Sequence, residues 1–238
     1  MAYKDLSRML FLDIETVSQK ASFSELSERM QALWNKKADM IRKSGEEELT
    51  PADLYGRAGI YSEFGKIVCI SVGFIKDDKL RIKSFYGHDE AKLLNEFADL
   101  LNNHYNGIGC ALCAHNGKEF DFPYIARRMV INGIELPKIL DVAGRKPWET
   151  SFIDTMELWK FGDYKNYTSL ELLCAILDIP TPKDDINGSQ VGEVYWKEND
   201  VERIKTYCQK DVISVAQIMR RYAYQTLLTD ENIEYISR

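Results

Sequence analysis

The sequence lacks the features that mark fibrous, membrane-spanning and disulfide-rich proteins. Its 238 residues include only 14 glycines and 6 prolines, which excludes collagen-like and low-complexity chains. No stretch approaches the roughly 18 consecutive apolar residues of a membrane span, and the first residues, MAYKDLSRMLFLDIE, do not resemble a signal peptide. The five cysteines are odd in number and scattered, which is typical of a reducing compartment. We therefore expect a globular, cytoplasmic protein without a membrane partner.

The sequence also lacks a net positive charge and several common motifs. The formal net charge is −6, which disfavours binding of nucleic acid through a broad basic surface. No glycine-rich phosphate loop and no nucleophile elbow occurs, so neither a nucleotide cofactor nor a serine hydrolase has support. Cys110-x-x-Cys113 has no second pair of zinc ligands to complete a structural site. Carboxylates are therefore the remaining candidates for chemistry.

Apolar patterning predicts alternating strands and helices. Short apolar or alternating runs predict strands over 8–14, 66–75, 80–86 and 109–115. Helical spacing predicts helices over 94–104, 121–131, 172–177 and 200–224, with a capping box at Thr168-x-x-Glu171 before the third. We expect an α/β fold, a mixed β-sheet flanked by helices.

Residues 18–62 interrupt this order between the first two predicted strands. Ser22-x-x-Glu25 has the spacing of a capping box, and Thr50-Pro51 predicts a second, short helix. An amphipathic stripe lies between them, at Phe23, Leu26, Met30, Leu33, Ala38 and Ile41. No linker rich in proline, glycine or serine borders the segment, so we interpret it as a helical insertion within one domain, 1–238. Trp34 fits either a core position or a base-stacking role.

Two carboxylates lie at the end of the first predicted strand. Alternation along a strand places Asp13 and Glu15 on the same side. Their mutual repulsion is relieved by a cation, and hard oxygen ligands suit Mg²⁺ or Mn²⁺. An acidic turn in solvent is the alternative, but the buried strand before these residues favours a site at the edge of the sheet.

Two further acids lie in comparable contexts. Asp121 follows the fourth predicted strand, where capping of the next helix is an alternative role. Tyr207 and Asp211 are four residues apart and therefore neighbours on one helix face. Tyr207 is the only one of the 13 tyrosines with aspartate at the +4 position, so the pair is not a repeated pattern of this chain. Paired carboxylates also occur in glycosidases, which the tyrosine–aspartate helix fits poorly.

In this order, the motifs resemble those of the DEDD 3′–5′ exonuclease superfamily, a branch of the ribonuclease H-like (DnaQ-like) fold. They are D-x-E at Asp13, N-x-x-x-F-D at Asn116 and Y-x-x-x-D at Tyr207. Tyr207 indicates the tyrosine subtype, because Thr206 stands where the histidine subtype has histidine. Residues 63–67, 169–171 and 188–191 are similar to the stand-alone bacterial family related to the exonuclease domain of family B DNA polymerases. The segment 18–62 matches that family only loosely.

The resemblance implies a metal-dependent 3′–5′ exonuclease that trims single-stranded 3′ ends, with DNA favoured over RNA. It implies that two divalent ions, Mg²⁺ or Mn²⁺, are held by Asp13, Glu15, Asp121 and Asp211. Tyr207 would orient the attacking water, and substrate contacts would come from Thr16, Val17, Asn116 and Phe120. Two divalent ions would offset most of the net negative charge, so that charge does not exclude nucleic acid. An exoribonuclease and a catalytically silent nucleic-acid-binding module are the alternatives.

Overall fold

Six strands form one mixed sheet in the computed structural model, which describes residues 5–163, 165–180 and 186–236. The strands are β1 (Met9–Ser18), β2 (Gly65–Lys76), β3 (Lys79–Tyr86), β4 (Ala111–Ala114), β5 (Phe152–Asp154) and β6 (Ile233–Tyr235). They lie in the order β5-β4-β1-β2-β3-β6. Strands β1, β2 and β3 are antiparallel neighbours, whereas β4 is parallel to β1, β5 to β4, and β6 to β3. The predicted mixed sheet is confirmed.

Helices cover both faces of this sheet, as the α/β prediction requires. They are α1 (Glu28–Ile41), α2 (Pro51–Leu54), α3 (Glu90–His104), α4 (Asp121–Ile131), α5 (Thr155–Trp159), α6 (Leu170–Ile176), α7 (Val191–Glu193) and α8 (Val201–Tyr222). Because strand side chains alternate, Leu10 and Leu12 pack towards α3 and α4, whereas Phe11 packs towards α6 and α8. None of the described helices is long and apolar enough to cross a membrane.

Helix α8 is the longest element and has one continuous apolar face. Its buried positions include Ile204, Cys208, Val212 and Val215, which recur at steps of three and four residues. Asp200 caps the helix by accepting a hydrogen bond from the backbone N–H of Arg203 at 3.0 Å. The helix is shorter than the predicted 200–224, because the capping residue lies outside it and the chain turns away after Tyr222.

Two strand predictions need correction, and two further strands were not predicted. The first strand does not end at residue 14; β1 continues to Ser18, because its backbone pairs with β2 beyond the apolar run. The fourth strand, predicted over 109–115, is limited to Ala111–Ala114. Strands β5 and β6 were not predicted, since three residues are too few to show a period.

Two predicted capping boxes are wrong. Ser22 precedes a 3₁₀ turn, and α1 instead starts after Ser27, whose hydroxyl accepts from the N–H of Met30 at 3.4 Å. Likewise Ser169, not Thr168, caps α6. In both places a second residue with a hydroxyl side chain lies nearby, and the spacing of the motif does not show which of the two caps the helix.

The β1–β2 segment, residues 19–64, forms a small core of its own. Trp34 is fully buried there, and its indole N–H donates to the carbonyl of Pro51 at 2.7 Å. It is therefore a core residue and is not exposed for base stacking. Leu33, assigned to the buried stripe, is instead 43% exposed. A 3₁₀ helix, Tyr55–Ile60, packs against the end of β1, where a Cβ on Gly59 would lie 3.1 Å from the backbone of Val17.

Candidate active site

Asp13 and Glu15 lie on β1, on the face of the sheet that α8 covers. Strand β1 is central in the sheet, between β4 and β2. Asp13 and Glu15 lie in the middle of β1 rather than at its end, because the strand continues to Ser18. The parallel pairing of β1 with β4 ends at Phe11, opposite Cys113, so both acids lie beyond the carboxyl ends of β4 and β5. A β-bulge between Glu15 and Thr16 follows directly.

The carboxylate of Asp121 approaches Asp13 and Glu15 from the other face of the sheet. It is the first residue of α4, and Phe120 holds the capping position that was considered for Asp121. One carboxylate oxygen of Asp121 accepts a hydrogen bond from the backbone N–H of Ile14 at 3.2 Å. Since Ile14 separates Asp13 from Glu15 in the chain, this bond holds the third carboxylate against the first two.

Asp211 and Tyr207 come from α8, one turn apart and half-buried. Between them lies Cys208, whose thiol donates to the backbone carbonyl of Asp13 at 3.3 Å and so joins α8 to β1. Ligand atoms of Asp13, Glu15 and Cys208 lie within 4.8 Å of one another. Nothing in the sequence motifs indicated this cysteine, because its approach depends on how α8 crosses the sheet.

The acids affect one another strongly. Burial raises the pKa of Asp13 well above its ordinary value, and the charges of Asp211, Glu15 and Asp121 raise it further. Burial and Asp211 likewise raise the pKa of Glu15. The pKa of Asp121 is raised to about 7, mainly by burial, although its backbone hydrogen bonds oppose the shift. We name Asp13, Glu15, Asp121 and Asp211 the acid cluster.

The acid cluster has the chemistry of a divalent-cation site. One carboxylate oxygen of Asp13 is buried with no hydrogen-bond partner in the described part of the chain. A cation would satisfy that oxygen and would offset both the burial and the mutual repulsion that raise the three pKa values. The donors are carboxylate oxygens, which suit hard cations such as Mg²⁺ or Mn²⁺. The residues present therefore fit such an ion.

Asp154, at the end of β5, is a buried acid that the sequence analysis missed. Its carboxylate accepts from the backbone N–H groups of Asn116 at 2.9 Å and Lys118 at 3.1 Å. It also caps α5 through the N–H groups of Met156 and Glu157. Asp154 thus holds the β4–α4 loop, residues 115–120, that leads to Asp121. Its strand is too short to be recognised, so no sequence signal placed it near the site.

A groove of about 830 Å³ opens beside Glu15. Three of the four predicted substrate-contacting residues line it, namely Thr16, Val17 and Phe120. Val17 is only 1% exposed, so little of its side chain is available to a ligand. The other walls come from the β1–β2 segment and from α7 with the turn after it, through Arg57, Ile60, Gly192, Trp196 and Lys197.

Asn116 does not line this groove. It adopts a positive φ of 60° at the start of the β4–α4 loop, and its backbone N–H bonds to Asp154. Its side-chain oxygen is buried without a partner in the described part of the chain. The structure therefore places Asn116 in the turn that leads from β4 to Asp121.

A family model described as "Predicted 3'-5' exonuclease related to the exonuclease domain of PolB" matches residues 60–234. The chain belongs to this family. The match includes Asp121, Tyr207 and Asp211, and it starts after Asp13, Glu15 and most of the β1–β2 segment. No curated protein matches the sequence. Membership places the chain among nucleases acting on nucleic acid, and the sheet with its flanking helices is consistent with the ribonuclease H-like exonuclease fold.

Proposed function

We propose that this protein is a metal-dependent 3′–5′ exonuclease of the DEDD type, tyrosine subtype, that trims single-stranded nucleic acid. The observation that carries the proposal is the acid cluster. Four carboxylates from β1, α4 and α8 converge beside a nucleotide-sized groove, with Tyr207 one helical turn from Asp211. Family membership independently supports hydrolysis from the 3′ end.

Each side chain of the proposed site would have a role that follows from its position. Asp13, Glu15, Asp121 and Asp211 would hold two Mg²⁺ or Mn²⁺ ions. When bound, such ions supply a water of lowered pKa and stabilise negative charge on the leaving oxygen. Tyr207 would orient the attacking water, because a free phenol with a pKa of about 10 is a poor base at neutral pH.

The groove would hold the terminal nucleotide. It begins at Glu15 and Thr16, so a nucleotide within it would present its 5′ phosphate to the acid cluster. Phe120 and Trp196 offer aromatic surface to the base. On the far wall, Arg57 is ion-paired with Glu46 and Lys197 with Glu193. We favour DNA as the substrate because the family is related to a DNA polymerase exonuclease domain.

The test is trimming of 3′- and 5′-labelled single strands of DNA and RNA in Mg²⁺ or Mn²⁺. We expect shortening from the 3′ end, faster on DNA. Asp13→Ala and Asp211→Ala should each abolish it while keeping the folded circular dichroism spectrum. Asp99→Ala, a matched change at an exposed position on α3, should trim like wild type.

Three outcomes would contradict parts of the proposal. Wild-type rates in Asp13→Ala would exclude the acid cluster as the metal site. Faster trimming of RNA would favour the exoribonuclease alternative. Binding of both strands without any trimming, in either metal, would favour a catalytically silent nucleic-acid-binding module.

A further inference from the structure

Two exposed aromatic side chains lie on the loop after α5. Phe161 is 74% exposed and Tyr167 is 65% exposed. The Nζ atom of Lys160 lies 4.5 Å from the centre of the Tyr167 ring, so charge and aromatic surface are presented together. We name residues 160–163 and 165–167 the aromatic loop. It contributes no fully buried side chain to the hydrophobic clusters described above.

The backbone of this loop keeps the ring of Phe161 largely exposed. Phe161 has a φ of 45°, a conformation that bulky residues rarely adopt, and Gly162 follows at 95°. Two residues before Phe161 the chain is anchored, because Trp159 stacks on Tyr222 at 6.4 Å with the rings 8° from parallel. The ring of Phe161 lies edge-on to Trp159, with 6.1 Å between the ring centres. A strained backbone that exposes a large apolar ring is typical of a functional contact.

The aromatic loop adjoins the loop that leads to the acid cluster. The carbonyl of Thr168, next to Tyr167, accepts a hydrogen bond from the Nε2 of His115 at 2.9 Å. Lys118 forms an ion pair with Glu157 of α5. His115 and Lys118 both belong to the chain segment that runs from β4 to Asp121. On its other side, the aromatic loop continues into α6, which packs on α8.

The aromatic loop and the groove lie on different sides of the acid cluster. The groove extends past Glu15 towards the β1–β2 segment, whereas the aromatic loop lies beside β4 and β5. Consider a nucleic-acid strand whose last nucleotide fills the groove and whose scissile phosphate lies at the acid cluster. Its upstream nucleotides must then lie outside the groove. The aromatic loop provides a surface for that continuation.

We propose that the aromatic loop binds the single-stranded nucleic acid upstream of the scissile bond. The rings of Phe161 and Tyr167 would stack on bases, and Lys160 and Lys165 would face phosphates. Every base has a π-face, so such a surface accepts any sequence, as processive trimming requires. This inference rests on the proposed exonuclease function and extends it from the terminal nucleotide to the rest of the strand.

The primary test is binding, measured by fluorescence anisotropy in an Asp13→Ala background so that no strand is shortened. The double variant Phe161→Ala/Tyr167→Ala should bind a long labelled DNA strand at least about tenfold more weakly, from the loss of base stacking. A labelled dinucleotide, which reaches only the groove, should bind equally well to both proteins. In the active background, trimming of a long strand should slow while hydrolysis of the p-nitrophenyl ester of thymidine 5′-monophosphate is unchanged.

Trp148→Ala is the matched control. Trp148 is 76% exposed with the Nζ of Lys146 5.3 Å from its ring, but it precedes β5 and so lies towards the opposite end of the sheet. We expect it to bind long strands normally. Wild-type affinity of the double variant for long strands would overturn the inference, as would equal losses on the dinucleotide or in Trp148→Ala. If strands bind as expected but wild type trims none, the proposed function fails while the binding surface stands.

Discussion

Buried carboxylates in the acid cluster are held close together despite their mutual repulsion. Asp13 has an oxygen with no hydrogen-bond partner in the described part of the chain, and its neighbours add negative charge rather than relieve it. Substituting neutral residues would remove this repulsion, so the arrangement is explained by chemistry rather than by stability. At the scale of single residues, the fold keeps an unfavourable arrangement that a bound cation would turn into a favourable one.

Tyr207 is the one proposed catalytic residue with no carboxylate. If it orients water, Tyr207→Phe should lower kcat by roughly 10- to 100-fold, a moderate loss for a positioning group. Metal affinity should not change, because the four carboxylates remain. Trimming assays and Mn²⁺ titration by isothermal calorimetry measure the two effects separately. Tyr224→Phe, at an 88% exposed position just beyond α8, is the matched control. An unchanged kcat in Tyr207→Phe would remove the tyrosine from the mechanism.

Among the elements, the short strand β5 determines where α4 begins. Asp154 at its end bonds two N–H groups of the β4–α4 loop, and Gly117 lets that loop turn tightly. A Cβ on Gly117 would lie 2.4 Å from the Cβ of Ala114, so a larger residue there would have to displace β4. Three residues of strand therefore set the position of Asp121, a metal ligand in our proposal.

Asp154→Ala should leave the N–H groups of Asn116 and Lys118 without their buried acceptor. We expect a loss of roughly 2–4 kcal/mol in the free energy of unfolding and a weaker Mn²⁺ affinity, because Asp121 is no longer held in place. Urea denaturation and calorimetry measure these changes.

The control for this prediction is Asp89→Ala, which removes an aspartate cap from α3, where the carboxylate accepts from the N–H of Lys92 at 3.0 Å. It should cost about 1 kcal/mol of stability without affecting Mn²⁺ affinity. Equal Mn²⁺ affinity in Asp154→Ala and wild type would show that the β4–α4 loop does not depend on Asp154.

For the whole molecule, the acid cluster makes stability depend on pH. The folded pKa of Asp121 is about 7, above its ordinary 3.8, and those of Asp13 and Glu15 are raised as well. At a pH between the ordinary pKa and the raised pKa of such a group, the folded chain keeps a proton that the unfolded chain has released. Stability of the metal-free protein therefore falls as pH rises, by about 1.4 kcal/mol per pH unit for each such group.

Thermal unfolding in EDTA should show a melting temperature that decreases from about pH 5 to about pH 7. Mn²⁺ should reverse the decrease most strongly at the higher pH, where the ligands are already deprotonated. Asp121→Asn should flatten the slope. Glu46→Gln should not, because Arg57 lowers the pKa of Glu46 to about 2, outside this range. A metal-free melting temperature that rises over this range would contradict the raised pKa values.

Properties that depend on one element alone were predictable from the sequence. Alternation along β1 puts Asp13 and Glu15 on one side, and helical spacing makes Tyr207 and Asp211 neighbours. The order of strands and helices likewise follows from local periodicity, which is set by backbone geometry within each segment. The α/β class was predictable for that reason.

Only the tertiary structure decided what depends on pairing between distant segments. The true length of β1 reflects its partner β2, and β5 exists because it pairs with β4. Asp154, Cys208 and the groove became visible only once α5, α8 and the β1–β2 segment were in place. Contacts between segments far apart in the chain leave no periodic pattern in either one. For that reason, the sequence by itself determined which acids could share a site, whereas the folded structure decided which surfaces surround them.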